Sequence, residues 1–453
     1  MKHRLLAPYC TALLMLAGCA GFSQDGGFDE VAKSAHEQLG AELNWPRDAD
    51  GEARTRAEVD SLLSKPIGPK EAVQIALLQN PGLRAEFESL QISEAALVQA
   101  GRLPNPRFDL RRASADGQYD IEETLSFNVI AMMTMPAAQR AARQRFGAAQ
   151  LAVSARVADL AALARIAYYR DVAARQRLEY LTRVKLAADA GAQLARRMQA
   201  AGNWNRVDEA REEAFRAEAE REFSRAQRQQ SAAREQLLRT LGFAAEPSDS
   251  PLKLAAELPD LPVNTSALPD VERIILDNRM DLKRMRQALD ALARDLKLTR
   301  ATRFVNVLDL GATRVKQGTE AEPYERGFSV TLEIPIFDGG EARVKRAAAL
   351  YRQAAERFAQ AAVDARSQIR QAYAAYRSAY DIARLQRDEV VPLRKAVAAE
   401  NLLRYNASLI SVFELLADSR DQAMSIGDYI DSLCDFWVAK SQLDAVLLGS
   451  LEP

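Results

Sequence analysis

Histidine and cysteine are scarce in this sequence of 453 residues, which contains two His and three Cys. Cys10 lies in an N-terminal apolar stretch, and Cys19 has another predicted role, so only Cys434 remains and no disulfide is expected within one chain. Neither a Gly-rich phosphate loop nor a plausible Ser/His/Asp grouping occurs. These absences argue against an enzyme, and against a bound cofactor or metal.

Net charge is also nearly absent, because 61 Lys and Arg residues balance 62 Asp and Glu residues to −1. A nucleic-acid partner is therefore not expected, since such binding needs an excess of basic residues. Beyond the N-terminus no uninterrupted apolar run reaches 18 residues. We expect no membrane-spanning helix, so any membrane span must come from strands.

The N-terminus has the features of a signal peptide. A short basic start precedes an apolar run over residues 5–16, which is too short to span a bilayer. Leu-Ala-Gly-Cys then covers 16–19 and resembles a bacterial lipobox. That resemblance implies cleavage before Cys19, which would carry diacylglycerol and palmitoyl chains. Ala20, in place of Asp, favours the outer membrane. A plain signal peptide with an incidental Cys is the alternative.

The rest of the chain is an internal repeat, in which 69–110 aligns with 269–310 and Asn80 falls opposite Asn278. Each copy continues with two strand-like runs, a long helical pattern, an interruption and a second helix. The predicted segments are a signal peptide (1–18), a lipidated N-terminal segment (19–65), a first repeat (66–242), a linker rich in Pro and Ser (243–268) and a second repeat (269–450).

Four strands are predicted, at about 106–116, 120–130, 304–316 and 326–336. Their alternation suits either membrane-spanning strands or a half-exposed soluble sheet. Four strands cannot close a membrane barrel, so several chains would have to pool them. Two chains would give eight strands and a filled lumen, and three would give twelve and an open pore. The residues predicted to face lipid are Leu125, Phe127, Val129, Phe328, Val330 and Leu332.

The long helical patterns cover 137–201 and 340–406, each about 100 Å long at 1.5 Å per residue. Pro392 lies inside the second pattern and is expected to kink it. Ile369, Tyr373, Tyr376 and Tyr380 form one stripe of that helix, which we expect to be packing.

Together these features resemble the TolC-type outer membrane efflux proteins. The resemblance rests on the lipobox, the duplicated unit, Asn-Pro-Gly-Leu at 80–83 and Ile-Pro-Ile-Phe-Asp-Gly-Gly at 334–340, and covers about 65–450. It implies a mainly α fold with a small β part, in which each chain gives long coiled-coil hairpins and four strands to a homotrimer. The trimer would have a twelve-stranded outer-membrane barrel and a periplasmic helical tunnel.

The resemblance also implies roles for the two helix interruptions, at about 202–205 and 406–411, as periplasmic turns that dock an adaptor and constrict the channel. Ser408 stands where the family usually has Gly, so the second turn is expected to do without a residue that is free to take a positive φ. Trp204 is unusually large for a docking turn. The implied docking residues are Gly202, Asn203, Trp204, Ser408, Leu409 and Ile410.

Asp208 and Glu414 follow these turns and are the gate candidates, with Asp418 a weaker one. Three copies of each carboxylate near an axis would select for cations. The alternative is that they are solvated acids favoured by the helix dipole.

We therefore expect a passive, lipid-anchored outer-membrane duct of a tripartite efflux or type I secretion system, with a periplasmic adaptor, an inner-membrane pump and outer-membrane lipid as partners. The alternative is a non-pore periplasmic coiled-coil lipoprotein that scaffolds an envelope complex. The substrate stays open between drugs, heavy metal ions and secreted proteins. Met132, Met133 and Met135 either offer soft ligands for Cu(I) or pack where a strand meets a helix.

Overall fold

A computed structural model describes residues 21–115, 118–245, 247, 252–265, 279–304, 307–319 and 322–450. The signal peptide, Cys19, Asn278 and the predicted start of the second repeat lie outside the described residues.

The described chain alternates long helices with two strand pairs. The first half contains α1 (Phe28–Leu39), α2 (Ala49–Leu63), α3 (Pro69–Gln79), α4 (Pro81–Ala100), β1 (Arg107–Ala115), β2 (Gln118–Asn128), α5 (Val129–Ala200) and α6 (Arg206–Leu241). The second half contains α7 (Met280–Ala301), β3 (Leu308–Gly318), β4 (Glu325–Leu332), α8 (Glu341–Leu385), a π-helix (Gln386–Val390), α9 (Val391–Asn406) and α10 (Val412–Leu448).

The junction between β2 and α5 differs from the predicted one. The strand ends at Asn128, and the helix begins at Val129 rather than near 137. The Asn128 side-chain oxygen accepts a hydrogen bond from the Ala131 N–H (2.7 Å), which caps the helix at that residue. The prediction of Val129 as a strand residue was therefore wrong, because apolar residues continue the strand alternation into the first helical turn.

Strand β4 also ends early, at Leu332 rather than near 336. Pro335 has no N–H to donate to a strand ladder, so the pairing cannot continue through it. In the same hairpin β3 runs from Leu308 to Gly318, later at both ends than the predicted 304–316.

The predicted kink at Pro392 takes the form of a π-helical turn. Residues 386–390 widen the helix just before the proline, so that α8, the π-helix and α9 follow one another without a gap. Proline lacks the N–H that an α-helix needs, and a wider turn accommodates the missing hydrogen bond.

The chain divides into two compact units, each built from segments of both repeats. Of the described residues, unit one contains those within 21–31, 87–153 and 281–362, and unit two contains those within 32–86, 154–280 and 363–450. In unit one the strands form one antiparallel sheet in the order β1-β2-β3-β4, so β2 of the first repeat pairs with β3 of the second. Its helices bury Phe87, whose ring meets Phe28 edge to face with centroids 5.1 Å apart.

Unit two is built around an aromatic core. The predicted stripe on α8 is buried at Ile369, Tyr376 and Tyr380, and both tyrosine rings lie within 6 Å of Phe436 on α10. Cys434 is buried nearby, and burial raises the pKa of its thiol to about 12. The thiol is therefore protonated and unreactive at neutral pH.

The predicted linker between the repeats lies against the helices of unit two in its described part. Leu254 forms a parallel bridge with Ile67, and the Pro259 carbonyl accepts a hydrogen bond from the Trp437 indole (2.8 Å). The leucines at 252, 254, 258 and 261 are buried. This segment is thus an ordered part of the unit two core.

One helix of the described chain, α5, is long and apolar enough to cross a membrane, by length and composition only. Its best 18-residue window has a mean hydropathy of 1.2 and is 33% buried. No membrane-spanning helix was expected, because that expectation required a run without any charge, whereas this window passes with up to two charged residues. Buried core helices pass the same test, so the finding is weak evidence for a span.

Candidate functional site

The two helix interruptions, turn one (residues 201–205) and turn two (residues 407–411), have the same hydrogen-bonded geometry. In turn one the N–H of Gly202 donates to the Gln199 carbonyl and that of Asn203 to the Met198 carbonyl, both at 2.9 Å. In turn two Ser408 donates to Tyr405 (2.9 Å) and Leu409 to Arg404 (2.8 Å). This pair of bonds defines a Schellman motif, which closes the end of a helix.

A Schellman motif needs a left-handed residue, and both turns supply one. Gly202 has φ +76°, and Ser408 has φ +59°. Turn two has no glycine at this position, yet its serine takes the positive φ that the motif needs. A serine pays a steric cost for this conformation, but two backbone hydrogen bonds and the helices on either side impose it.

Each turn then starts the next helix with a side-chain cap. In turn one the Asn205 oxygen accepts from the N–H of Val207 (2.8 Å) and of Asp208 (2.9 Å). In turn two the Ser411 hydroxyl accepts from the Glu414 N–H at the longer distance of 3.4 Å. Asp208 and Glu414 therefore occupy the same position, three residues after the cap, where a negative charge favours the positive end of the helix dipole.

The two acids nevertheless differ in their contacts. The Asp208 carboxylate accepts from the Asn205 amide (2.7 Å) and lies 3.4 Å from the Arg211 guanidinium. The Glu414 carboxylate is exposed, and no partner for it occurs in the described part of the chain. Asp208 thus belongs to the capping network of turn one, whereas Glu414 is available to respond to its surroundings.

The third predicted acid, Asp418, lies one helical turn after Glu414 and accepts a hydrogen bond from the Asn401 amide of α9. This bond joins the two helices on either side of turn two. Asp418 is therefore part of the hairpin packing.

The predicted docking residues differ in exposure. Gly202 and Asn203 are exposed and Trp204 is half-buried, whereas in turn two Ser408 is exposed, Ile410 is half-buried and Leu409 is 70% exposed. Turn two thus presents the apolar side chain of Leu409 to solvent, whereas the large side chain of turn one, the Trp204 indole, is partly covered.

Sequence reasoning missed the pair that joins the two repeats beside the turns. Glu212 on α6 binds Arg420 on α10 at 2.5 Å, and the Glu212 side chain is only 3% exposed. The Arg420 guanidinium also lies 4.1 Å from the centre of the Phe215 ring. Glu212 stands 206 residues before Asp418, the spacing that also relates Asp208 to Glu414, so the repeat could have indicated it.

The sheet of unit one has one apolar and one polar face. Pairing places Phe127, Leu310 and Val330 in one row and Phe108, Leu125, Ala312 and Phe328 in the next. Side chains paired in an antiparallel sheet share a face. Phe328 is 85% exposed. The predicted lipid-facing residues of the strands, namely Leu125, Phe127, Phe328, Val330 and Leu332, therefore share this apolar face.

Metal ligands are sparse in the described residues, among which no group of three or more His, Cys, Asp or Glu side chains could hold a metal ion. Met132 and Met133 are exposed on the first turns of α5.

Comparison with known proteins gives related findings from sequence and from structure. The sequence profile described as outer membrane efflux protein matches residues 273–418. The cobalt-zinc-cadmium resistance protein CzcC of Cupriavidus metallidurans is 26% identical over 280 residues, which are 60% of this chain and 64% of that relative. The match thus spans less than two thirds of the relative's length.

The fold is shared with solved structures over most of the chain. A membrane protein from Pseudomonas aeruginosa superposes with a TM-score of 0.71 at 19% identity, over 84% of this chain and 93% of that one. The open state of the MtrE outer membrane channel of Neisseria gonorrhoeae superposes with a TM-score of 0.69 at 17% identity, over 87% of this chain and 89% of that one. By the profile match to its second repeat and by its fold, the chain is similar to the outer membrane efflux proteins.

Proposed function

We propose that this protein is the passive outer-membrane channel of a tripartite efflux system. One observation carries the proposal: a sheet with an exposed apolar face whose outer strands, β1 and β4, each pair on one side only in the described chain. Open strand edges are not tolerated in lipid. Copies of the sheet must therefore pair with one another if the apolar face meets a bilayer.

Three copies give twelve strands and an open lumen, so we propose a homotrimer. The likeness to outer-membrane channels supports this number over two copies, whose eight strands would leave a lumen filled by side chains. The residues that we propose to contact lipid are Leu125, Phe127, Phe328, Val330 and Leu332.

We propose that the helices lie in the periplasm and that Cys19 carries a lipid anchor in the outer membrane. Turns one and two would then meet a periplasmic adaptor and, through it, an inner-membrane pump. Gly202, Asn203 and Trp204 supply one docking surface, and Ser408, Leu409 and Ile410 the other. Because Leu409 is the most exposed apolar side chain of the two turns, we expect turn two to contribute more to docking.

The gate, in this proposal, depends mainly on Glu414. Its carboxylate has no described partner, whereas Asp208 is held by Asn205 and Asp418 by Asn401. Three unpaired carboxylates facing an axis form a ring that favours cations over anions.

Divalent metal cations are the proposed cargo. The name of the relative from Cupriavidus metallidurans supports this class of substrate. The polar face of the sheet supports it as well, because its five acids outnumber its two arginines, Arg107 and Arg111. These acids are Asp109, Asp120, Glu122, Asp309 and Glu325. A lumen with excess carboxylate would pass cations with little resistance and would need no bound metal or catalytic group.

Single-channel recording tests the proposal directly. Full-length protein purified from outer membranes would be inserted into planar bilayers as wild type, Asp208→Ala, Glu414→Ala and the double variant, with Glu209→Ala as a control acid beside Asp208. We expect a small cation-selective conductance that rises in Glu414→Ala and more in the double variant, but not in the control.

The other outcomes are equally informative. A clear pore that no variant changes would place the gate elsewhere and keep the channel. No conductance from well-folded protein, in wild type and double variant alike, would favour the scaffolding lipoprotein. Metabolic labelling with a palmitate analogue, lost in Cys19→Ala, tests the anchor separately.

A further inference from the structure

Charged residues of the sheet in unit one are sorted by sign between its two faces. Beyond the apolar rows, the apolar face continues with Leu110, Glu123, Arg314 and Arg326 in one row, and with Arg112, Ile121 and Lys316 in the next. This face thus carries four cations and one carboxylate. The opposite face has the reverse balance, with five acids and two arginines.

The four cations, Arg112, Arg314, Lys316 and Arg326, are here named the cationic belt. They lie near the hairpin ends of their strands, because β1 ends three residues after Arg112 and β4 begins one residue before Arg326. The apolar rows lie on the other side of the belt, toward the helices. Ile334, Ile336 and Phe337 extend the exposed apolar surface in that direction.

Aromatic rings accompany the cationic belt. The Arg112 guanidinium lies 5.5 Å from the centre of the Tyr119 ring. Arg314 and Lys316 lie 5.0 Å and 5.6 Å from that of Tyr324. Tyrosines of this kind mark the headgroup level of membrane proteins. The belt therefore has the position of an interface between hydrocarbon and headgroups, where charge is tolerated on a lipid-facing strand.

Within the paired rows of this face that the structure describes, one carboxylate accompanies these charges. Glu123 binds Arg314, while Arg112 and Arg326 pair with no carboxylate of the described residues, and both are exposed. If these positions only had to be compatible with the headgroup level, acidic and basic side chains would both be acceptable there. An excess of cations, two of them guanidinium groups without an acidic partner, favours an anionic ligand with several oxygens.

We propose that the cationic belt binds the phosphate groups of a phosphorylated glycolipid in the outer leaflet of the outer membrane. This inference rests on the proposed function, which puts the apolar face in lipid and the hairpin ends on the outside. The acyl chains then cover the apolar rows, and the phosphates reach Arg112, Lys316 and Arg326. The partner is thus a lipid headgroup, recognised by charge and held beside the barrel.

The test uses the full-length trimer purified in neutral detergent and titrated with bisphosphorylated lipid A, with lipid binding counted by native mass spectrometry. The belt variant is Arg112→Gln/Lys316→Gln/Arg326→Gln, which leaves the Arg314–Glu123 pair intact. The control, Arg107→Gln/Arg111→Gln, removes cations from the opposite face. A charge-preserving variant, Arg112→Lys/Arg326→Lys, separates charge from general disruption, and bilayer conductance reports assembly for all four proteins.

We expect the belt variant to bind lipid A roughly 100-fold more weakly, since each basic residue near a membrane surface contributes about a fivefold factor. The control and the lysine variant should remain near wild type, and dephosphorylated lipid A should bind weakly to every protein.

Equal lipid A binding by wild type and belt variant would overturn the inference and leave the channel intact. Equal binding of phosphatidylglycerol in place of lipid A would also overturn it, because the belt would then recognise any anionic lipid. A wild-type protein that binds through the belt but never conducts would instead overturn the proposed channel.

Discussion

Turn one and turn two reach the same geometry from different residues. Both end a helix with a Schellman motif and start the next with a side-chain cap, and corresponding residues stand 206 positions apart. Turn one uses the residues best suited to the task, Gly202 at the left-handed position and Asn205 at the cap. Turn two uses two serines, Ser408 and Ser411, of which the first is strained and the second makes a longer hydrogen bond.

The difference extends to the helices and acids around the turns. The helix before turn one is uninterrupted from Val129 to Ala200, whereas the helix before turn two contains a π-helical turn at 386–390. The acid after turn one is bonded, and the acid after turn two has no partner among the residues that the structure describes. Weak capping, a wider helical turn and a carboxylate without a described partner all belong to the second repeat. That hairpin is therefore the one expected to move.

The largest effect should come from Glu212→Ala, compared with Asp418→Ala at the matching position of the second repeat. Glu212 is almost fully buried, so its removal leaves the Arg420 charge without a partner. We expect the free energy of unfolding to fall by about 2–3 kcal/mol. The loss is smaller than for a wholly buried pair because the Arg420 side chain is 24% exposed. Asp418→Ala should cost about 1 kcal/mol, the value of one hydrogen bond.

Hydrogen exchange of the α6 and α10 amides in the purified protein measures both losses of stability. Similar protection in the two variants would mean that the Glu212–Arg420 pair is no stronger than the Asn401–Asp418 hydrogen bond. The two repeats would then be joined by their apolar contacts rather than by Glu212 and Arg420.

Removing the two helix caps should give a smaller difference in stability than removing Glu212 and Asp418. Asn205→Ala removes an acceptor for two N–H groups and a donor to Asp208, so we expect a loss of about 1.5 kcal/mol. Ser411→Ala removes one long bond and should cost about 0.5 kcal/mol. Exchange rates of the first amides of α6 and α10 report each cap separately, and a larger loss at Ser411 would contradict the comparison.

Exchanging the left-handed residues gives effects of opposite sign. Gly202→Ser should destabilise turn one by about 1 kcal/mol, and Ser408→Gly should stabilise turn two by up to about 1 kcal/mol, because only glycine takes a positive φ without steric cost. No side chain crowds Gly202, since a Cβ built there meets no atom within 4 Å. Urea unfolding of the single and double variants measures both changes in the free energy of unfolding. If both substitutions lower stability, the Ser408 side chain stabilises turn two through another contact.

Much of this arrangement could be predicted from the sequence. The repeat spacing and the turn residues located both interruptions, and the alternation around Leu125 and Phe328 identified the strand faces. The features that could not be predicted depend on contacts that form only in the folded chain. Serine has no intrinsic preference for positive φ, so the conformation of Ser408 is evident only from the two hydrogen bonds around it.

The same reason explains the other misses. The sequence pattern predicts Val129 as a strand residue, but the Asn128 oxygen accepts from the Ala131 N–H and so starts the helix at Val129. Glu212 reads as one of many acids on a charged helix, and its burial depends on Arg420, which is 208 residues away. Local patterns therefore reveal element types and faces, whereas caps and buried pairs depend on contacts that patterns do not contain.

Conservative substitutions of the gate candidates should have the smallest effect on stability. They can therefore report gating without unfolding the turns. Glu414→Gln removes an exposed charge without a described partner and should change the free energy of unfolding by only a few tenths of a kcal/mol, through the helix dipole. Asp208→Asn should cost about 0.5–1 kcal/mol, because it also weakens the bond from Asn205. A conductance change in Glu414→Gln would therefore report gating alone, whereas one in Asp208→Asn would mix gating with loosening of turn one. If Glu414→Gln unfolds more easily than Asp208→Asn, Glu414 has a structural partner and the contrast between the turns is lost.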